Sequence, residues 1–194
     1  MEYIVGIDEA GRGPLAGPVA VGATKVYKLD KFKKLVRGIK DSKRLSAEER
    51  ELWYLLALEA KKSGELDFTV SLVSEKVIDK HGISHALCLG IKRCLEKLGI
   101  SKNSQIFLDG SLKAPEDFKH QLTVIKGDEK IPVISLASIC AKVIRDRKMT
   151  KLSKKFPEFN FDINKGYGTL VHRQALRKYG SSTIHRQSFL THIR

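Results

Sequence analysis

Tyr3-Ile4-Val5-Gly6-Ile7-Asp8-Glu9-Ala10-Gly11-Arg12-Gly13-Pro14-Leu15-Ala16-Gly17-Pro18 is the stretch from which the fold is read. Its apolar lead-in, residues 3–7, predicts a short buried strand. Asp8 and Glu9 stand where that strand is expected to end. Side chains alternate along a strand, so the two carboxylates start on opposite faces. They converge on one metal only if the backbone turns at Glu9. Three glycines and two prolines in residues 10–18 supply such a bend. Gly11-Arg12-Gly13 adds bare backbone N–H groups beside a guanidinium, which suits a phosphodiester or a sugar hydroxyl.

Outward from there, residues 19–27 are β-prone and are expected to pair back on the first strand. A basic linker, residues 28–40, leads to Asp41-Ser42-Lys43 and then to Ser46 with Glu49 three positions on. That pair is a capping-box signature and predicts a helix from about Ala47, with Leu52, Leu55, Leu56 and Leu58 as its apolar stripe and Gly64 ending it. Ser42 and Lys43 then lie just ahead of a helix, with a hydroxyl and an ammonium available to a phosphate; a plain surface loop fits these residues equally well. Residues 68–73 predict a third strand, residues 75–81 a short helix and residues 83–98 a longer one. His81, His85 and Cys88 on these helices are read as packed rather than metal-binding.

Gln105-Ile-Phe-Leu-Asp109-Gly110 repeats the opening theme of an apolar strand running into a carboxylate and a glycine, and Leu122-Thr-Val-Ile-Lys126-Gly127-Asp128 does so again. Strand-terminal acids in an α/β domain gather at one edge of the sheet, where ligands bind. Asp8, Glu9, Asp109 and Asp128 are therefore expected to form one acidic cluster. Clustered carboxylates repel unless cations neutralise them, and oxygen-only donors favour Mg²⁺ or Mn²⁺ over Zn²⁺. Residues 131–152 predict a strand entry and a helix, with Lys142, Arg145 and Arg147 exposed or anion-facing; Asp146 is the second choice for the fourth carboxylate, with Lys142 as its alternative intrahelical partner. The last stretch, residues 163–194, holds six Lys/Arg and no acid, and sets Tyr167 between two glycines ahead of a helical pattern, a composition suited to nucleic acid.

The 194 residues carry a formal charge of +14, an excess that points to a polyanionic partner. Apolar content of 42% with 30% charged residues is that of a globular chain, and no apolar run approaches the ~20 residues of a membrane span. Three cysteines without a close CxxC pair, and no signal peptide, lead to the expectation of a reduced, cytoplasmic setting. With no linker or repeat in view, one domain covers residues 1–194, including a basic helical segment from about residue 163.

Gly6-Ile-Asp-Glu-Ala-Gly-Arg-Gly-Pro14, Asp41-Ser-Lys43, Leu108-Asp-Gly110, Lys126-Gly-Asp128, Ala137-Ser-Ile-Cys-Ala-Lys-Val-Ile-Arg-Asp146, Lys165-Gly-Tyr-Gly-Thr169 and His185-Arg-Gln-Ser-Phe189 occur in this order. In them the chain resembles the type 2 ribonucleases H, the ribonuclease HII family, from about residue 3 to residue 189. Gly13 and the lack of an added N-terminal domain look like type HII rather than type HIII, and Leu136 departs from the family's usual small residue. The resemblance implies an α/β ribonuclease H-like fold: a mixed five-stranded sheet flanked by helices, with a helical C-terminal part. It implies a monomeric, divalent-metal endonuclease for RNA–DNA hybrids and for single ribonucleotides in duplex DNA, leaving 5′-phosphate and 3′-hydroxyl ends. Its four metal carboxylates fall on Asp8, Glu9, Asp109 and Asp128, its ribose-reading loop on Gly11, Arg12 and Gly13, its junction-sensing tyrosine on Tyr167, and its phosphate loop on Ser42 and Lys43. Lys142 and Arg186 are further candidate contacts. A basic nucleic-acid-binding module with structural carboxylates, and another metal nuclease of the same fold, are the alternatives.

Overall fold

The computed structural model describes residues 3–39 and 45–191. Asp41, Ser42 and Lys43 lie outside the described residues, and with them the expected phosphate loop. Five strands form one mixed sheet in the order β3-β2-β1-β4-β5. These are β1 (Ile4–Ala10), β2 (Val19–Val26), β3 (Leu66–Val73), β4 (Gln105–Asp109) and β5 (Gln121–Val124). The first three pair antiparallel, whereas β1–β4 and β4–β5 are parallel. The helices are α1 (Leu29–Leu35), α2 (Ala47–Lys62), α3 (Glu75–His81), α4 (Ile83–Lys97), α5 (Gly127–Lys130), α6 (Pro132–Ser153), α7 (Phe161–Asn164) and α8 (Leu170–Tyr179).

The period-2 pattern of β1 sorts its residues into two cores. Val5 and Ile7 pack with Val21, Ala23, Leu87, Ile91 and Leu95, placing α4 on that face. Ile4 joins Val26, Phe68, Tyr54, Ile134, Leu136 and Ile139 on the other, beneath α2 and α6. Each fully buried Leu, Ile or Phe contributes roughly 1.5–3 kcal/mol, so the sheet is anchored from both sides. Helix α6 lies against the backbones of β1 and β2: a Cβ at Gly6 would stand 2.4 Å from the Val133 carbonyl, and one at Gly22 would stand 2.3 Å from the Ala137 oxygen. Only glycine admits that approach. It brings the α6 face directly over Asp8, which shares parity with Gly6.

Several expectations change. The Ser46–Glu49 capping box forms as predicted, at 2.7 and 3.1 Å. The stripe does not, because Leu52 and Leu55 are 58% and 53% exposed and Leu56 is also exposed. The buried face is instead Tyr54, Ala57 and Ala60. Small alanines let α2 sit close to the sheet while Tyr54 meets the Phe68 ring edge-on at 5.6 Å. The first strand does not stop before Asp8 but runs through Glu9 to Ala10, held by β2 (Asp8↔Gly22, Glu9↔Val21). Asp128 does not end a strand: β5 stops at Val124, Lys126 takes a left-handed conformation (φ 55°), and Asp128 falls in the first turn of α5. Arg145 is buried, not exposed or anion-facing. All three cysteines are free. No helix among the described residues is long and apolar enough to cross a membrane.

Candidate active site

Asp8, Glu9 and Asp109 each place one carboxylate oxygen within 4.8 Å of the others. Adjacent residues on a continuing strand reach one point because of where β4 ends. The β1–β4 ladder stops at Ile7↔Leu108, so the β4 side of β1 is open at Asp8 and Glu9. Both side chains bend round that edge toward Asp109, the last residue of β4. The Glu9 N–H donates to Asp8 Oδ1 at 2.7 Å. Asp109 Oδ1 accepts from the Gly127 and Asp128 N–H groups at 2.6 and 3.3 Å, the opening amides of α5.

The cluster is electrostatically loaded. Burial first, then the charge of Glu9, pushes the Asp8 carboxyl well above its usual range, and the Ser138 hydroxyl acts in the opposite sense. Burial likewise raises Glu9, opposed by its hydrogen bond with Asp8 and by Arg12. The Arg12 guanidinium stands 3.8 Å from Glu9 and donates to Ser111 Oγ at 3.2 Å, tying the glycine loop to the end of β4.

These residues line a cleft of about 210 Å³ together with Gly11, Gly13, Ser138, Lys142 and Tyr167. The two glycines differ. Gly11 has φ 86°, and a Cβ there would stand 1.8 Å from Arg145 Nε. A Cβ at Gly13 would meet nothing within 4 Å, so that side faces open space. Tyr167 is 42% exposed at the rim. Asp128 is buried beside Asp109 but is not one of the three converging carboxylates. Lys142 pairs with Asp146 at 2.8 Å, the intrahelical pairing foreseen for that acid, and Asp146 stands outside the converging set. Arg186, expected at the nucleic-acid surface, is buried at 0% exposure and donates to the carbonyls of Gly11, Arg12 and Gly17.

Sequence reasoning missed three supports. Ser138 touches Asp8, and its spacing to Lys142 and Arg145 (i, i+4, i+7) marks one face of α6 that the sequence does display. Arg145 donates to Pro18, Lys165 and Ala16 carbonyls from beneath the loop. Two buried histidines hold Tyr167. The Ser182 N–H donates to His185 Nδ1 at 2.9 Å, so the neutral His185 carries its proton on Nε2 and donates to His172 Nε2 at 3.0 Å. His172 Nδ1–H then donates to the Tyr167 carbonyl at 2.8 Å. Burial keeps both rings neutral, lowering His172 and pushing His185 to about 4.

Comparison with known proteins gives a consistent result. A family model described as Ribonuclease HII matches residues 5–192. A Ribonuclease HII of Caldicellulosiruptor bescii is 41% identical over 98% of this chain and 88% of its own length. One of Fusobacterium nucleatum is 38% identical over 100% of this chain and 89% of its own. The RNase HII of Archaeoglobus fulgidus, solved in complex with PCNA, superposes with a TM-score of 0.77 at 28% identity, covering 98% of this chain and 96% of that one.

Proposed function

Because the chain belongs to the ribonuclease HII family, we propose that it cleaves the RNA strand of RNA–DNA hybrids and, within duplex DNA, the phosphodiester on the 5′ side of a single ribonucleotide, leaving 5′-phosphate and 3′-hydroxyl ends. The observation that carries this reading is the convergence of Asp8, Glu9 and Asp109 within 4.8 Å in a cleft rimmed by Gly13 and Tyr167.

The donor set fits a divalent cation. It is all oxygen, and the like charges that push Asp8 upward would be relieved by one. When bound, two such ions (Mg²⁺ or Mn²⁺) would supply an activated water and neutralise the charge that develops on the phosphate and on the leaving 3′-oxygen. Asp8, Glu9 and Asp109 would hold them. Asp128, next to Asp109 through its own N–H, is the proposed fourth.

The chain's remaining residues bind and discriminate. Lys142, drawn below the usual lysine range by burial, offers an ammonium at the cleft wall for a phosphate. Gly13 lets backbone approach the sugar because no Cβ intervenes. The Tyr167 phenol reaches for the 2′-oxygen while its ring packs on the neighbouring deoxyribose. A site that pairs a hydroxyl rejects the analogue lacking it, since its own polar groups are then left unmatched. Ser42 and Lys43, ahead of α2 in sequence, remain proposed phosphate contacts.

The test is a DNA duplex bearing one ribonucleotide, incubated with the protein and Mg²⁺, with and without chelator. A single cut 5′ of the ribonucleotide, absent with chelator and absent from the all-DNA duplex, is the expected result. Binding without cutting, or cutting that survives chelation, overturns the reading.

A further inference from the structure

Arg145 and Arg186 are both at 0% exposure, and their guanidiniums spend six hydrogen bonds on backbone carbonyls alone. Five of these carbonyls belong to the loop between β1 and β2: Gly11, Arg12 and Gly17 for Arg186, Ala16 and Pro18 for Arg145. Asp79, Glu75 and Asp146 favour the charged forms from a distance. Yet no carboxylate among the described residues comes within ion-pair range of either. Two buried cations without a carboxylate are an expensive way to fasten a loop. Burial and Arg145 together push Arg186 down to about 9, which leaves it protonated at neutral pH.

The positions of the bonds say what the charge is for. Arg186 Nη2 meets the Gly11 carbonyl at 2.7 Å and Nη1 meets the Arg12 carbonyl at 2.8 Å. Each carbonyl shares its peptide group with the next N–H, so the two peptides involved end in the N–H groups of Arg12 and Gly13. A cation on a peptide oxygen draws density through the amide and strengthens the N–H as a donor, and it does so most where water is excluded. Neither N–H makes a hydrogen bond among the described residues, and both residues are exposed at the cleft beside Asp8 and Glu9.

We propose that Arg186 is a positioning residue for substrate: from inside the protein it orients and polarises the Gly11–Arg12 and Arg12–Gly13 peptides so that the Arg12 and Gly13 N–H groups hold the 2′-oxygen of a ribonucleotide. The proposal rests on the reading above that this cleft distinguishes ribose from deoxyribose. Arg145, against Gly11, keeps the loop in the conformation that Arg186 needs. The specificity of the cleft is then set partly by a charge that never meets the substrate.

The experiment measures equilibrium binding in Ca²⁺ to two duplexes of one sequence, one with a single ribonucleotide and one all DNA, for wild type, Arg186→Gln and Arg186→Lys. Folding of each variant is checked by circular dichroism and thermal melting. The expected result is that Arg186→Gln loses at least about tenfold of the preference for the ribonucleotide, the worth of one good hydrogen bond, with affinity for the all-DNA duplex nearly unchanged. Arg186→Lys, which keeps the charge, recovers part of the loss. A purely structural Arg186 lowers the melting temperature and the active fraction but leaves the preference per folded molecule intact, and that result overturns the proposal. If neither variant folds, the Arg12 and Gly13 amide protons of ¹⁵N-labelled wild type decide: they move downfield with the ribonucleotide duplex and not with the DNA duplex, or the proposal falls. A wild type with no preference overturns the parent reading, and this one with it. A wild-type preference that survives Arg186→Gln overturns this one alone.

Discussion

Gly11 and Gly13 flank one arginine, and replacing each by alanine is expected to damage different properties. At Gly11 the backbone is left-handed (φ 86°), where a side chain costs about 1–2 kcal/mol. The new Cβ would also stand 1.8 Å from Nε and 2.4 Å from Cδ of Arg145. That guanidinium cannot swing into water, because it is fully buried and bonded to Pro18, Lys165 and Ala16 carbonyls at 2.9, 3.0 and 3.4 Å. Losing one charge-assisted bond of this kind costs about 1.5–3 kcal/mol. The sum is about 2.5–5 kcal/mol, which for a chain of this size lowers Tm by roughly 5–20 °C. At Gly13 neither term applies: φ is not positive, and a Cβ meets nothing within 4 Å. Gly13→Ala should therefore hold its stability within about 0.5 kcal/mol of wild type. Its methyl group lies in the cleft, so it should lower kcat/KM on a duplex carrying one ribonucleotide. Thermal denaturation followed by circular dichroism, with cleavage normalised to folded protein, separates the two effects. Equal Tm losses, or a Gly11→Ala as stable as wild type, would refute the placement of Arg145 beneath the loop.

Asp8→Asn, Glu9→Gln and Asp109→Asn should each nearly abolish cleavage in Mg²⁺ while duplex binding persists, because the basic surface supplies most affinity. Asp8→Asn should also raise Tm in chelator, since it removes the buried charge that Glu9 opposes; a lower Tm would count against the strained cluster. Asp128→Asn should impair turnover more than Asp146→Asn, whose carboxylate is taken up by Lys142, and the reverse order in kcat would move the fourth ligand. His185 is held at about 4 against the usual 6.5, so the unfolded chain takes up the proton first. Stability is thus lost as pH falls from about 6.5 to about 4, by up to ~3 kcal/mol. Urea denaturation at three pH values should show that loss, and His185→Asn should flatten it. Tyr167→Ala should cost more kcat/KM on a single-ribonucleotide duplex than on a continuous hybrid; equal losses would make the ring a packing residue.

What the sequence displays and what it hides divides along a physical line. The Ser46–Glu49 box is made and satisfied within one turn, so four residues announce it. The face that α2 buries is settled by Phe68 and the sheet below it, and both candidate stripes have helical spacing, so periodicity alone selects the wrong one. Asp8, Glu9 and Asp109 were legible as residue types because few other groups do their chemistry. Their gathering at one sheet edge was expected too, but not how neighbours on one continuing strand reach a single point, which depends on a ladder that ends at Leu108, remote in sequence from Glu9. Arg145 and Arg186 read as surface cations since arginine is almost never fully buried without a partner. Five of their six partners are carbonyls of a loop that is more than a hundred residues distant in sequence, and a carbonyl carries no residue type for a reader to notice. The loop from Gly11 to Pro18 is therefore written twice. Its glycines show in the sequence, and its cause arrives only later: Arg145 with α6, then Arg186 and the Leu15–Arg186 and Gly17–Ile184 hydrogen bonds with the C-terminal segment. A chain whose acidic cluster is set by β1 and β4, and whose proposed ribose-reading loop is held from its far end, should lose discrimination before chemistry when residues 184–186 are disturbed.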